Sequence, residues 1–184
     1  MADHVCPWWI GYFLLSPLRK LIEDPKENLG PHVREKMTVL DFGCAMGFFT
    51  LPLAELVGPE GKVVALDLQE RMIATLQRRA RKAGLESRIE TVVAASAGEL
   101  NRPGEFDFIL TAHVIHEVPD QRILFQELFD LLRPGGRLLA IEPKGHVSAA
   151  DFDESLKLAE DAGFAVIDRS TPKRGRLALL ERPA

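Results

Sequence analysis

A chain of 184 residues with 46% hydrophobic and 27% charged side chains has the usage of one globular domain, long enough for a full core. Its 23 Lys and Arg stand against 27 Asp and Glu, a net charge of −4, which excludes a broad basic footprint for phosphates and disfavours nucleic acid as a partner. Two distant cysteines, Cys6 and Cys44, exclude a disulfide framework and suit a reducing cytoplasm.

The amino-terminal octet from Trp8 to Leu15 is the most apolar stretch and is bracketed by Pro7 and Pro17. A spanning helix needs about 20 apolar residues, and neither a basic start nor a small-residue cleavage site accompanies this one, so no transmembrane segment or leader is expected. Residues 1–36 are read as a helical lid whose Trp8, Trp9, Tyr12 and Phe13 suit an apolar or planar acceptor. A membrane-surface contact or a homodimer contact is the lesser use of the same rings.

From Met37 onward, short aliphatic runs alternate with amphipathic helical patterns, the mark of a doubly wound parallel sheet. Thr38-Val39-Leu40-Asp41-Phe42 reads as a buried strand. The following Gly43-Cys44-Ala45-Met46-Gly47 permits a tight turn and close backbone approach to a ligand, although Ala45 forbids a relaxed positive φ. A helix is expected from Phe48 to Val57, stopped by Gly58-Pro59-Glu60-Gly61, and then a strand from Lys62 to Asp67. The next helix carries Met72, Ile73, Leu76, Ala80 and Ala83 on one face and ends at Gly84, and a strand from Arg88 to Val93 follows. Its arginines read as a solvated face.

Phe106 to Ala112 is the fourth expected strand. Asp120 caps a helix with a Leu124, Leu128, Leu131 and Leu132 stripe, and Gly135-Gly136 turn the chain into a strand from Arg137 to Ile141. After a loop from Glu142 to Val147, Ser148 and Asp151 form a capping box for a helix that buries Phe152, Leu156 and Ala159 and ends at Gly163. Phe164–Asp168 and Leu177–Glu181 are the last two strands.

The Asp-x-Gly-x-x-x-Gly loop after the first strand, with Asp67 ending the second, resembles the first motifs of the class I S-adenosylmethionine (SAM)-dependent methyltransferases. There Asp-x-Gly-x-Gly-x-Gly precedes an acid that grips ribose. Ala45 stands where the family has its middle glycine. Phe106–Leu110 and the Leu132-Arg133-Pro134-Gly135-Gly136 turn resemble the family's fourth strand and the entry to its fifth. The resemblance implies SAM as cofactor, with Gly43, Cys44, Ala45 and Gly47 against its methionine part and Asp41 near its ammonium. Asp67 would hold the ribose, and Leu68, Ala95 and Ser96 complete the cofactor-binding set. It also implies a seven-stranded, mostly parallel, Rossmann-like α/β sheet, with residues 37–184 as the methyltransferase domain and the last two strands an antiparallel edge pair. A family acid that receives the adenine amino group is missing; Ser96, a backbone carbonyl or the more distant Glu99 stands in. A nicotinamide dehydrogenase is the nearest rival of similar fold, but Gly43 and Gly47 do not make Gly-x-Gly-x-x-Gly.

Methyl transfer from a sulfonium needs alignment and no enzyme nucleophile, but a base is needed where the acceptor carries a proton. Thr111-Ala112-His113-Val114-Ile115-His116-Glu117 leaves the fourth strand on the family's substrate side. His116 matches a histidine common there in small-molecule methyltransferases, including those of quinone biosynthesis. His116 and His113 are therefore the catalytic candidates, with structural loop ties as the plainer reading of each. Glu117 either orients one ring or is an exposed loop acid. No metal is expected, because the histidine spacing is short and Cys6 lacks a paired thiol. Phe48 and Phe49 either meet the sulfonium or pack in the core. The expected function is methyl transfer from SAM to a small acceptor, with a SAM-binding module lacking transferase activity, or RNA methylation, as alternatives.

Overall fold

A computed structural model describes residues 24–172 and 175–184. Most of the expected 1–36 lid, including Trp8, Trp9, Tyr12, Phe13 and Cys6, lies outside the described residues. The chain divides into two compact units that meet in sequence between Ala95 and Ser96.

In the first unit, α1 (Pro25–Leu29) is capped by Asp24, whose Oδ1 accepts the Lys26 amide at 2.9 Å. Three parallel strands follow: β1 (Thr38–Phe42), β2 (Lys62–Asp67) and β3 (Ile89–Val93), with Leu40 opposite Val64 and Val64 opposite Glu90. Val39, Leu40, Val63, Val64 and Ala65 are fully buried, as expected of parallel strands covered on both faces. Parallel neighbours need crossovers, supplied by α2 (Thr50–Leu56) and α3 (Glu70–Ala83). Helix α3 buries Met72, Ile73, Leu76 and Ala80, each large side chain contributing about 1.5–3 kcal/mol. Ala83, expected on that face, is exposed, while Arg71, Arg78, Arg81 and Lys82 point to solvent as expected. Gly84 closes the helix at φ 69°, its amide donating to the Ala80 and Arg81 carbonyls.

Helix α2 is shorter than the expected Phe48–Val57, because residues 45–49 are spent on turns that the positive φ of Ala45 and Gly47 imposes. A Cβ on Gly47 would stand 2.4 Å from Leu76 Cδ1, so any other residue there would have to displace the Leu76 side chain as well as adopt a strained φ of 83°.

In the second unit, β4 (Phe106–Ala112) leads through a short 3₁₀ turn at Ile115–Glu117 to α4 (Gln121–Leu131). Asp120 caps α4 by accepting the Ile123 amide at 3.1 Å. The next strand, β5 (Leu132–Pro143), is longer than the expected Arg137–Ile141. Leu132 leaves the helical stripe to pair with Phe106, and the register then jumps so that Arg137 faces Phe108. Residues 133–136 form the excursion between, and its backbone is paid back by the carboxyl-terminal strand's extension: Gly135 donates to the Arg182 carbonyl and Arg182 to that of Gly136.

Helix α5 (Ala149–Asp161) has the expected capping box, Ser148 Oγ accepting the Asp151 amide and Asp151 the Ser148 amide, both at 3.1 Å. The last strands, β6 (Ala165–Ser170) and β7 (Gly175–Glu181), are antiparallel to one another, and β7 is antiparallel to β5. All seven strands form one sheet of order β3-β2-β1-β4-β5-β7-β6, the mostly parallel doubly wound architecture expected. β6 is one of the two edges, and its Asp168, Arg169 and Ser170 keep it polar.

Candidate functional site

In the first unit the carboxyl ends of β1 and β2 bring together Asp41, the 43–47 loop and Asp67. The amides of Gly43 and Cys44 both donate to the Leu66 carbonyl, at 2.9 and 3.0 Å, which pins the loop beside β2. Asp67 ends that strand and receives the Ala45 amide on Oδ2 at 2.9 Å and the Gln69 amide on Oδ1 at 2.8 Å. A carboxylate offers about four acceptor positions. The two left on Asp67 suit a vicinal diol.

Ala45 adopts φ 46°, although alanine cannot relax there as glycine does. The positive φ is therefore a strained one, as expected of alanine there: the hydrogen bond from its amide to Asp67 holds the turn in place against about 1–2 kcal/mol of strain. Ala45→Gly releases that strain against about 0.4–1 kcal/mol of added unfolded-chain entropy. A net stabilisation of about 0.5 kcal/mol is expected in denaturant titrations of the two proteins, and a loss would contradict a strained loop.

Asp41 is 2% exposed and accepts the Thr50 hydroxyl on Oδ2 at 2.6 Å. Burial pushes its carboxyl up to about 7, against the opposing Thr50 bond, and the nearby Asp67 charge adds to the rise. Asp67 is also raised by burial, with the Gln69 and Ala45 amides opposing. The Cys44 thiol lies well above its usual range, through burial first and then the Asp41 and Asp67 charges, so it is no nucleophile. Neither acid has an ion-pair partner among the described residues. The donor set fits SAM on this ground: two buried carboxylates without a cation suit a ligand carrying an ammonium and a sulfonium. Thr50, which holds Asp41, carried no signal in the sequence beyond a place in the first helical turn.

Beside Asp67, Leu68 and Val93 are 50% and 47% exposed, apolar surface of the kind a purine ring covers. Ala94 donates to the Asp67 carbonyl at 3.2 Å, and Ala95 next to it is exposed. Ser96 falls in the second unit, where its amide donates to Glu99 Oε1 at 3.1 Å, so that carboxylate is turned back onto its own loop. Phe48 and Phe49 are both buried and stack edge to face at 5.1 Å between centroids, which supports the core reading for the pair. Arg79 donates to the Met46 carbonyl, a tie between α3 and the loop that no sequence motif announced.

In the second unit the segment after β4 builds one pair. His116 Nδ1 lies 2.5 Å from Oε2 of Glu142, a residue 1% exposed near the end of β5. Glu142 Oε1 accepts the amides of Val114 and Ile115 at 3.2 and 3.0 Å, so its carboxylate acts as acceptor throughout and Nδ1–H donates. The histidine's pKa is raised from 6.5, first by that hydrogen bond, with desolvation opposing and the Glu142 and Glu117 charges adding. Glu142, not Glu117, orients the ring; the sequence pattern puts Glu142 in the loop after a strand ending at Ile141, whereas β5 runs on to Pro143. The His146 ring lies 6.0 Å from that of His116, centroid to centroid. His113 takes φ 60° and its amide donates to the Ile141 carbonyl at 2.7 Å, so its backbone is anchored in the turn.

A family model described as a methyltransferase domain matches residues 34–171. The chain belongs to the methyltransferase-domain family. The solved structure of a SAM-dependent methyltransferase from Aquifex aeolicus superposes with a TM-score of 0.87 at 26% identity, covering 97% of this chain and 100% of that one. A demethylmenaquinone methyltransferase from Lactococcus lactis is 31% identical over 122 residues, 66% of this chain and 48% of its own length. The chain spans about half the length of the curated relatives it matches. The fold is shared more widely than the reaction: the [4+2]-cyclase SpnF has a TM-score of 0.74 at 14% identity, over 86% of this chain and 80% of that one. SAM is the cofactor of this methyltransferase family. Among the described residues no helix is long and apolar enough to cross a membrane.

Asp67, which keeps acceptor positions to spare, is the residue on which cofactor affinity is expected to depend most. Asp67→Ala removes two acceptors for ribose hydroxyls and frees the Ala45 amide, so SAM affinity is expected to fall by about 2 kcal/mol. Unchanged affinity by calorimetry would contradict the placement of the ribose.

Proposed function

We propose that this protein is an enzyme that transfers the methyl group of SAM to a small molecule with a planar or apolar body, in the cytoplasm. The observation that carries the reading is Asp67, a buried carboxylate bound by the Ala45 and Gln69 amides with acceptor positions to spare beside a glycine loop. In this reading Asp41, Gly43, Cys44, Ala45, Gly47, Asp67, Leu68 and Ala95 bind the cofactor, which supplies an activated methyl on sulfur. The small-molecule class follows the demethylmenaquinone methyltransferases among the relatives, and the chain's net charge of −4 supports it against RNA.

The chain's own chemistry is positioning and proton removal. His116 takes the acceptor's proton at Nε2, its ring held in the right tautomer by Glu142, which also stabilises the imidazolium that forms. His113 serves the turn through its backbone and is the second candidate for acceptor contact.

Incubation of the protein with methyl-labelled SAM and either a quinone-containing metabolite extract or total RNA tests the proposal. Label in the small-molecule fraction alone is expected. Label in RNA would overturn the acceptor class, and tight SAM binding with no label anywhere would favour a binding module.

A further inference from the structure

Within the second unit, a cleft of about 390 Å³ opens among the loop after β5, the first turns of α5 and the β6–β7 ends. Its charged lining is mostly basic: Lys144, Arg169 and Arg176, with Asp153 the one acid. Asp153 is taken by Arg169, with which it forms an ion pair. Nε of Arg176 is buried and has no hydrogen-bond partner among the described residues. That nitrogen is closed off from the cleft, but the Arg176 side chain lines it and forms no ion pair among the described residues, and an unpaired guanidinium there attracts an anion.

The nearest acids do not fill that role. Glu142 lies directly opposite Arg176 across the β5–β7 ladder, but its oxygens receive His116, Val114 and Ile115. Asp151 is committed to the capping box; its carboxyl is held low first by Ser148 and least by Arg176. Hydroxyl-bearing Ser170 and Thr171 add donors to the lining, and Phe152 and Leu177 give it an apolar wall.

We infer that this cleft binds the oxyanion, phosphate or carboxylate, of a small molecule whose apolar body lies on Phe152 and Leu177. Arg176 is the central donor and Lys144 the second charge. Opposed residues in an antiparallel ladder share a sheet face, so Arg176 and Glu142 lie on one face, and Glu142 holds His116. The anion would therefore anchor the methyl acceptor near the proposed base, an inference that rests on the methyltransferase reading. The acceptor is then an acid with an apolar body rather than a wholly apolar one.

Calorimetric titration of the full chain with phenyl phosphate, benzoate and benzyl alcohol tests this, with SAM titrated into the same samples. Binding of one or both anions and none of the alcohol is expected, the tighter anion naming the oxyanion. Arg176→Gln should weaken that binding by about tenfold and Lys144→Gln, on a loop, by about threefold, with SAM affinity unchanged in both. Equal binding of all three probes, no anion binding, or anion affinity indifferent to both substitutions would overturn the proposal while SAM binding stood. Failure of the unaltered chain to bind SAM would instead overturn the methyltransferase reading, and this inference with it.

Discussion

His116→Ala is expected to lower turnover by about 10²–10⁴-fold while leaving SAM affinity within about twofold, because on the proposed mechanism the substitution removes a proton acceptor and no cofactor contact. The companion variant separates a base from a loop tie. In Glu142→Gln, the amide oxygen can still accept the Val114 and Ile115 amides, but the amide nitrogen must donate toward Nδ1. That places the imidazole hydrogen on Nε2, where it blocks proton removal. Turnover should then fall nearly as far as in His116→Ala. What activity remains should show its acid limb at lower pH, since the hydrogen bond that most raises the His116 pKa is gone. Undiminished turnover in His116→Ala would leave the pair a structural tie.

What could be read from the sequence differs between the two halves of that chemistry. The turn after β1 was legible because its constraints are local: an aliphatic run ending in Asp41, glycines where backbone must turn, and an acid at the end of the next strand. The partners of these groups were not. Thr50 reaches Asp41, and the amide of Ala45 reaches Asp67 across 22 positions, by tertiary placement that no spacing encodes. The strain at Ala45 follows from the residue type, but what holds it in place does not. Alanine's preference argues against a positive φ, and the Asp67 bond overrides it. His116 was visible as a titratable residue after β4. Its partner Glu142 was hidden, because the Gly135-Gly136 excursion disguises where β5 begins and Pro143 suggests that it has already ended.

Asp41 gives the steepest expected dependence on pH. Its carboxyl ionises near 3.8 when unfolded and at about 7 when folded, so between those values the folded protein binds more protons than the unfolded chain. Stability without cofactor is therefore expected to fall as pH rises from about 4 to about 7 and to level off above, by at most about 4 kcal/mol from this group. Asp67 is raised as well and acts in the same direction. Asp41→Asn keeps an acceptor for the Thr50 hydroxyl and removes the buried charge, so it should flatten that slope and stabilise the cofactor-free protein at pH 8. Denaturant unfolding at pH 5 and pH 8 measures both. The same substitution should weaken SAM, because the neutral amide no longer attracts an ammonium. In the unaltered chain, affinity should rise with pH until Asp41 is ionised, near 7, with a proton released as the cofactor binds. A variant that is no more stable at pH 8, or SAM affinity that falls as pH rises toward 7, would show that Asp41 carries its charge without cost and that the cation lies elsewhere.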